Sequence, residues 1–226
     1  MLLALFLVAG PALAQQSRID GYDTARDQFF WLKLYALGGV TLYCNHVFPS
    51  EQVHASISGP RLSNAGERLS VEHAYPADWI AEANGCPNRN DCDVPPYRFA
   101  EADLHNLWPA LGRINSSRQD LPFGELPGED ARRFTDICDD FERSSGAGAI
   151  VEPQDSVKGD LARSQLYMMV FYDLPLHGSL DALAAWHVAD PPDDVERWRN
   201  NLIDQLQGSR NPFIDYPEMV RLLGLQ

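Results

Sequence analysis

Gly66-Glu67-Arg68-Leu69-Ser70-Val71-Glu72-His73-Ala74-Tyr75-Pro76-Ala77 is the stretch around which the chain is organised. Its counterpart is Asp103-Leu104-His105-Asn106-Leu107-Trp108-Pro109-Ala110-Leu111-Gly112-Arg113-Ile114-Asn115. In the first, Leu69 to Val71 reads as a short strand that ends in a carboxylate and an imidazole. Neighbouring side chains of a flat strand point to opposite faces. Glu72 and His73 can therefore serve one site only where the backbone bends or twists, and Pro76 close behind predicts an irregular strand end. In the second stretch, Pro109 suits the first turn of a helix running to about Arg118. Ala110, Leu111 and Ile114 would form its apolar side, with Asn115 beside Leu111 at i, i+4.

Outward from this centre, Thr24 to Leu37 reads as a helix too dense in Phe29, Phe30, Leu32, Leu34 and Tyr35 for a solvated face, ended by Gly38-Gly39. Val40 to Cys44 is a strand candidate, and Phe48 to Gly66 a loop. Asn84 to Pro96, rich in Asn, Asp, Pro and Cys, reads as a loop, and so does Asp120 to Glu129. The last third is helical. Asp155 to Leu174 carries Val157, Leu161, Tyr167, Met168 and Phe171 near helical spacing. Leu180 to Val188 is a second helix. A third starts at Asp190 as N-cap, with Pro191 and Pro192 following, and carries the stripe Val195, Trp198, Leu202, Leu206 to a stop at Gly208. Trp198, Leu202, Tyr167 and Phe171 are expected in the core, and Asp193 and Asp194 as helix-start acids. Asn211 to Asp215 turns into a short last helix. The composition never breaks, so the expectation is one mostly helical α+β domain with a small antiparallel sheet.

The chain has 226 residues, 45% of them hydrophobic, enough for one sizeable core and too apolar for general disorder. No apolar run reaches the roughly 18 residues of a membrane span. Residues 1–14, apolar and closing on Ala12-Leu13-Ala14, read as a secretory signal peptide, leaving a domain at 15–226. Export puts the cysteines in an oxidising compartment. The four of them, Cys44, Cys86, Cys92 and Cys138, allow three connectivities. The short spacing makes Cys86–Cys92 the simplest pair, which leaves Cys44 with Cys138. The formal net charge of -14 argues against a nucleic-acid partner. The cations, however, are almost all arginine, the better residue for bidentate phosphate contact, with Lys33 and Lys158 the only lysines.

Among candidates for chemistry, Glu72 offers the oxygen that hard cations prefer. His73, with an ordinary pKa of about 6.5, can act as a base at neutral pH. Asn115, at the edge of a packed face, can offer a metal its amide oxygen without carrying charge. Arg89 lies between Cys86 and Cys92, where a disulfide would aim its guanidinium at a phosphate. His105 and Asn106 are assigned to tying the turn before the helix. His46, His54, His177 and His187 show no partner pattern.

These stretches resemble the endonuclease I family of periplasmic and secreted bacterial nucleases, which are His-Me finger (ββα-metal) enzymes. Val71 to Ala77 and Asp103 to Asn115 carry the resemblance. So do Glu152-Pro153 with Val157 to Arg163 and Tyr167-Met168, and Trp186-His187 with Asp190-Pro191-Pro192 and Gln207 to Phe213. The resemblance implies a ββα-metal core with Glu72 and Asn115 as Mg²⁺ ligands, for which Mn²⁺ or Ca²⁺ could substitute. It implies His73 as general base, oriented by the backbone carbonyl of Glu101, Arg89 as phosphate-binding arginine and Arg118 as a second phosphate contact. It further implies an exported, monomeric, sequence-nonspecific endonuclease that cuts DNA and RNA to 5′-phosphate ends, in the periplasm or outside the cell. The acidity then needs arginines gathered on one face, a modest metal-dependent affinity, or adaptation to salt that screens long-range attraction. Two alternatives are a zinc hydrolase using His73, His105 and a carboxylate, and a catalytically silent nuclease-like interaction protein.

Overall fold

A computed structural model describes residues 15–55, 67–128 and 131–223. The predicted signal segment and residues 56–66, the larger part of the loop expected from Phe48 to Gly66, lie outside the described residues. The chain opens with α1 (Tyr22–Thr24), which winds on as a π-helical stretch, Ala25–Leu34. Its wider winding is visible where Tyr35 N donates to Phe30 O. Phe30, Trp31 and Leu34 face the core. Two short strands follow, β1 (Gly38–Val40) and β2 (Val47–Pro49), paired antiparallel, and then α2 (Ser50–Ala55). The expected strand to Cys44 therefore stops at Val40. Tyr43 and Asn45 have positive φ values of 71° and 51°, so the chain turns there instead.

The central ladder is β3 (Leu69–His73) against β4 (Leu107–Leu111), antiparallel, in register from Leu69 opposite Leu111 to His73 opposite Leu107. Between them lie α3 (Ala77–Ala83), a short turn at Arg89–Asp91 and α4 (Pro95–Glu101). The predicted helix start at Pro109 is corrected. Pro109 sits in β4 opposite Val71, and α5 spans Gly112–Arg118. All five residues of β4 are buried, so they pair rather than wind. A two-stranded ladder has an outer edge on each strand, which tolerates a residue without an N–H. Pro109 O still accepts from Leu42 N.

A third sheet joins β5 (Arg132–Phe134), β6 (Cys138–Arg143) and β7 (Val151–Glu152), antiparallel throughout. The helical third holds α6 (Lys158–Tyr172), α7 (Leu180–Ala189), α8 (Asp194–Gln207) and α9 (Pro212–Asp215). The helix placements at 155–174 and 180–188 hold. The N-cap of α8 does not: Asp193, not Asp190, caps it, in a capping box with Glu196. Asp190 accepts instead from Gly159 N. Trp198 is also corrected, being 51% exposed. The face that α8 buries is Glu196, Arg199, Asn200, Ile203 and Gln207, most of it polar. Tyr167 and Phe171 are buried as expected. The disulfides are Cys44–Cys138 and Cys86–Cys92. The fold is α+β, helices with small antiparallel sheets, and no helix among the described residues is long and apolar enough to cross a membrane.

Candidate active site

The end of β3, the start of α3, the Cys86–Cys92 loop and α5 enclose a cavity of about 600 Å³. Glu72, His73, Arg89, Asn115 and Arg118 line it. The ladder is regular through His73, and the chain bends only at Ala74 and Tyr75. Both members of the Glu72–His73 dipeptide nonetheless reach the same cavity, as they must to share a site.

His73 is 7% exposed, and its Nε2 lies 2.9 Å from Glu101 O. A carbonyl can only accept, so Nε2 carries the proton and Nδ1 is the basic nitrogen. Glu101 ends α4, where carbonyls lack helical partners. The Tyr22 ring packs 5.0 Å from the imidazole. Burial, helped by the nearby charge of Arg89, pulls the His73 pKa down to about 3. The ring is therefore neutral at ordinary pH.

Glu72 is 2% exposed. Its Oε1 accepts from Tyr43 Oη at 2.8 Å and faces Arg118 Nη1 at 3.2 Å. Burial pushes its pKa up to about 7 against the opposing pull of Arg118 and Tyr43. Asn115 gives Nδ2 to Ser70 Oγ and to Val71 O, each at 3.1 Å, so the amide has a fixed direction and Oδ1 remains. Arg89 is held through its backbone. Its N–H donates to Asp78 Oδ1 at 3.1 Å, its carbonyl accepts from Tyr97 Oη, and Asn88 caps the turn. The guanidinium has no carboxylate within ion-pair distance among the described residues.

Arg118 is placed differently from expectation. It is 1% exposed and donates to His73 O at 3.1 Å and Ala74 O at 2.9 Å besides facing Glu72. Its Nη1 and Nη2 are engaged with the wall, whereas a second phosphate contact was expected of it, and its Nε makes no hydrogen bond among the described residues. His105 and Asn106 tie backbone, as assigned. His105 Nε2 meets Ser209 O, and Asn106 brackets Tyr75 N and O. Of the histidines given no role, His46 meets Ile137 O, His187 meets Pro217 O, and His177 stacks on Trp79. Tyr43, Tyr22 and Asp78 are the site residues that sequence reasoning missed. Tyr43 lies 29 residues before Glu72, with no local signal beyond a neighbouring cysteine.

The donor set suits a hard divalent cation. Among the described residues, the desolvated carboxylate of Glu72 has Oε2 uncommitted and the anchored amide of Asn115 has Oδ1 uncommitted. Two oxygen ligands leave such an ion most of its water shell, as Mg²⁺ prefers. The zinc alternative needed His105 beside His73, but His105 is turned to Ser209. Among the described residues no three His, Cys, Asp or Glu side chains gather as metal ligands.

A family model described as Endonuclease I matches residues 39–218. An extracellular deoxyribonuclease of Aeromonas hydrophila is 30% identical over 224 residues, covering 92% of this chain and 93% of that protein. A periplasmic deoxyribonuclease of the same species is 30% identical over 222 residues, covering 92% and 90%. An extracellular ribonuclease of Bacillus subtilis (strain 168) is 36% identical over 175 residues, covering 69% of this chain and 57% of its own length.

Proposed function

Because the chain belongs to the endonuclease I family, we propose that it is an exported, Mg²⁺-dependent, sequence-nonspecific endonuclease that hydrolyses DNA and RNA to 5′-phosphate products. The observation that carries this reading is the pairing of a tautomer-fixed His73 with Glu72 and Asn115 on one cavity. The order β3, β4, α5 supports a ββα-metal core. Relatives named for deoxyribonuclease and for ribonuclease activity support both substrates, and their extracellular and periplasmic names support export. The proposed location is the periplasm or the medium.

In this mechanism His73 Nδ1 takes a proton from the attacking water while Nε2–H stays on Glu101 O. The ring is unprotonated throughout the neutral range, so the Nδ1 lone pair is free to accept that proton. Glu72 Oε2 and Asn115 Oδ1 would hold the Mg²⁺. Bound there, the ion supplies Lewis-acid stabilisation of charge on the phosphate and the departing 3′ oxygen. The Arg89 guanidinium adds hydrogen bonds to the same phosphate. Contacts of this kind address backbone rather than bases, so little sequence preference follows.

The charge problem has a local answer. Arg26 pairs with Asp23 and Asp27, Arg98 with Asp20 and Asp93, Arg113 with Glu67 and Asp136, and Arg210 with Asp204 and Asp215. These arginines are neutralised where they stand rather than gathered into a basic face. This favours modest, metal-dependent affinity over electrostatic capture. The test is nicking of a supercoiled plasmid by the purified chain. Relaxation with Mg²⁺, abolished by EDTA and leaving 5′-phosphate ends, is expected. Intact plasmid with Mg²⁺, Mn²⁺ and Ca²⁺ alike would overturn the reading.

A further inference from the structure

Glu72 has two carboxylate oxygens, and the fold treats them differently. Oε1 is occupied by the Tyr43 hydroxyl at 2.8 Å and faces Arg118 Nη1 at 3.2 Å, while Oε2 has no hydrogen-bond partner among the described residues. Tyr43 is wholly buried, its ring packed against Phe141 and Phe123 at 5.4 and 6.3 Å. Its backbone lies in the left-handed region at φ 71°, which a side chain with a Cβ rarely adopts. Such a conformation persists only where its surroundings over-determine it, and it often marks a functional constraint. Here the surroundings are plain. The next residue, Cys44, is bonded to Cys138 across 94 residues, and Leu42 N is tied to Pro109 O of the central ladder. An awkward turn is thus clamped from both sides, and what it delivers is one hydroxyl onto one carboxylate oxygen.

We infer that Tyr43 is a positioning residue for Glu72: with Arg118 it takes Oε1, so that Oε2 alone is presented to the cavity as a one-oxygen ligand for a divalent cation. The inference rests on the metal-ligand reading of Glu72 above. A carboxylate left free to rotate could offer either oxygen or both. Groups that orient a ligand in this way commonly carry about 10- to 100-fold in metal affinity.

The test replaces Tyr43 with Phe, which removes the hydroxyl and keeps the ring packing. Mn²⁺ is titrated calorimetrically into the purified protein without nucleic acid, beside Glu72→Gln and wild type. Tyr43→Phe is expected to bind Mn²⁺ about 10- to 100-fold more weakly, with melting close to wild type. Its nicking should recover toward the wild-type rate as Mn²⁺ is raised, a dependence that a merely structural role would not produce. Wild-type affinity in a folded Tyr43→Phe protein would overturn the inference while leaving the nuclease reading intact. Failure of wild type itself to bind the ion, with Glu72→Gln no different, would overturn the ligand reading instead. Should Tyr43→Phe fail to fold, a crystal structure of the Mn²⁺-bound wild type decides. Ligation through Oε2 with Tyr43 still on Oε1 supports the inference; ligation through Oε1 or both oxygens overturns it.

Discussion

On the cavity side, Glu72 and Arg118 are buried beside each other with hydrogen-bonding capacity to spare. Among the described residues Glu72 Oε2 and Arg118 Nε have no hydrogen-bond partner. Between α6 and α8, Arg163 and Glu196 are buried as deeply, and nothing is left over. Arg163 Nε and Nη2 grip both oxygens of Glu196 at 2.7 and 2.5 Å, and Nη1 reaches Asp190 O. Buried Asp103 is equally saturated, accepting from His105 N, Gln207, Tyr167 and Tyr172. Burial of charge is costly in both places. In the Arg163–Glu196 pair the guanidinium and both carboxylate oxygens are spent on structure. In the cavity region Glu72 Oε2 is left without a hydrogen bond among the described residues, on a residue that lines the cavity. Between these two pairs, equally buried and equally charged, that difference is what separates scaffold from site.

The comparison can be broken from either side. The largest effect is expected for Glu72→Ala, which should cut the nicking rate by several kcal/mol of barrier, roughly 10³-fold. Calorimetric Mg²⁺ binding should be lost with it; unchanged binding would remove Glu72 from the ligand set. Next, Arg163→Met leaves Glu196 buried without its partner and should cost about 3–5 kcal/mol of stability. Denaturant melts should show that loss, while the folded fraction keeps its metal dependence. A normal melt with lost nicking would mean the scaffold assignment is wrong. Arg89→Ala should lower the rate by about 10²-fold without changing the metal titration. Equal rates would show that this guanidinium does not meet the phosphate.

The smallest effect is a pH dependence. Glu72 is pushed up to about 7 by burial, so the folded chain holds this proton more tightly than the unfolded chain, whose value is near 4.5. Stability from this group is therefore full below the unfolded value and is lost as pH rises through about 7. His73, pulled down to about 3, works the opposite way, losing stability as pH falls below about 6.5, and contributes no slope above neutrality. A cation that binds ionised Glu72 offsets the loss. At one fixed Mg²⁺ concentration, Tm should rise more at pH 8 than at pH 5.5. An equal rise at both would contradict the assignment.

Much of this was legible in the sequence, and the gaps have physical causes. The helices at 158–172 and 180–189 follow from apolar spacing and flanking breakers. Leu107 to Leu111 was misread because Pro109 suits a helix start equally well. Only the partner strand, far away in sequence, decides that the run pairs. The strands at 132–134 and 138–143 are mostly polar, with Phe134 and Phe141 as sparse anchors, and carry no alternation strong enough to announce them. In α8 the apolar stripe suggested the buried face, but Arg199 and Asn200 are buried by hydrogen bonds that no hydropathy pattern encodes. Of the site, the adjacent Glu72 and His73, Asn115 and the stapled Arg89 could be read from residue type and position. Tyr43 could not, and Arg118 could be found but not placed, because both act through contacts made only by the folded chain.

The most direct measurement is plasmid nicking by His73→Ala beside wild type, with melting and Mg²⁺ titration run on the same preparations. The account predicts a rate lower by roughly 10²- to 10⁴-fold, the usual worth of a general base, with the melt and the metal titration unchanged. Near-normal nicking by the folded variant would contradict it.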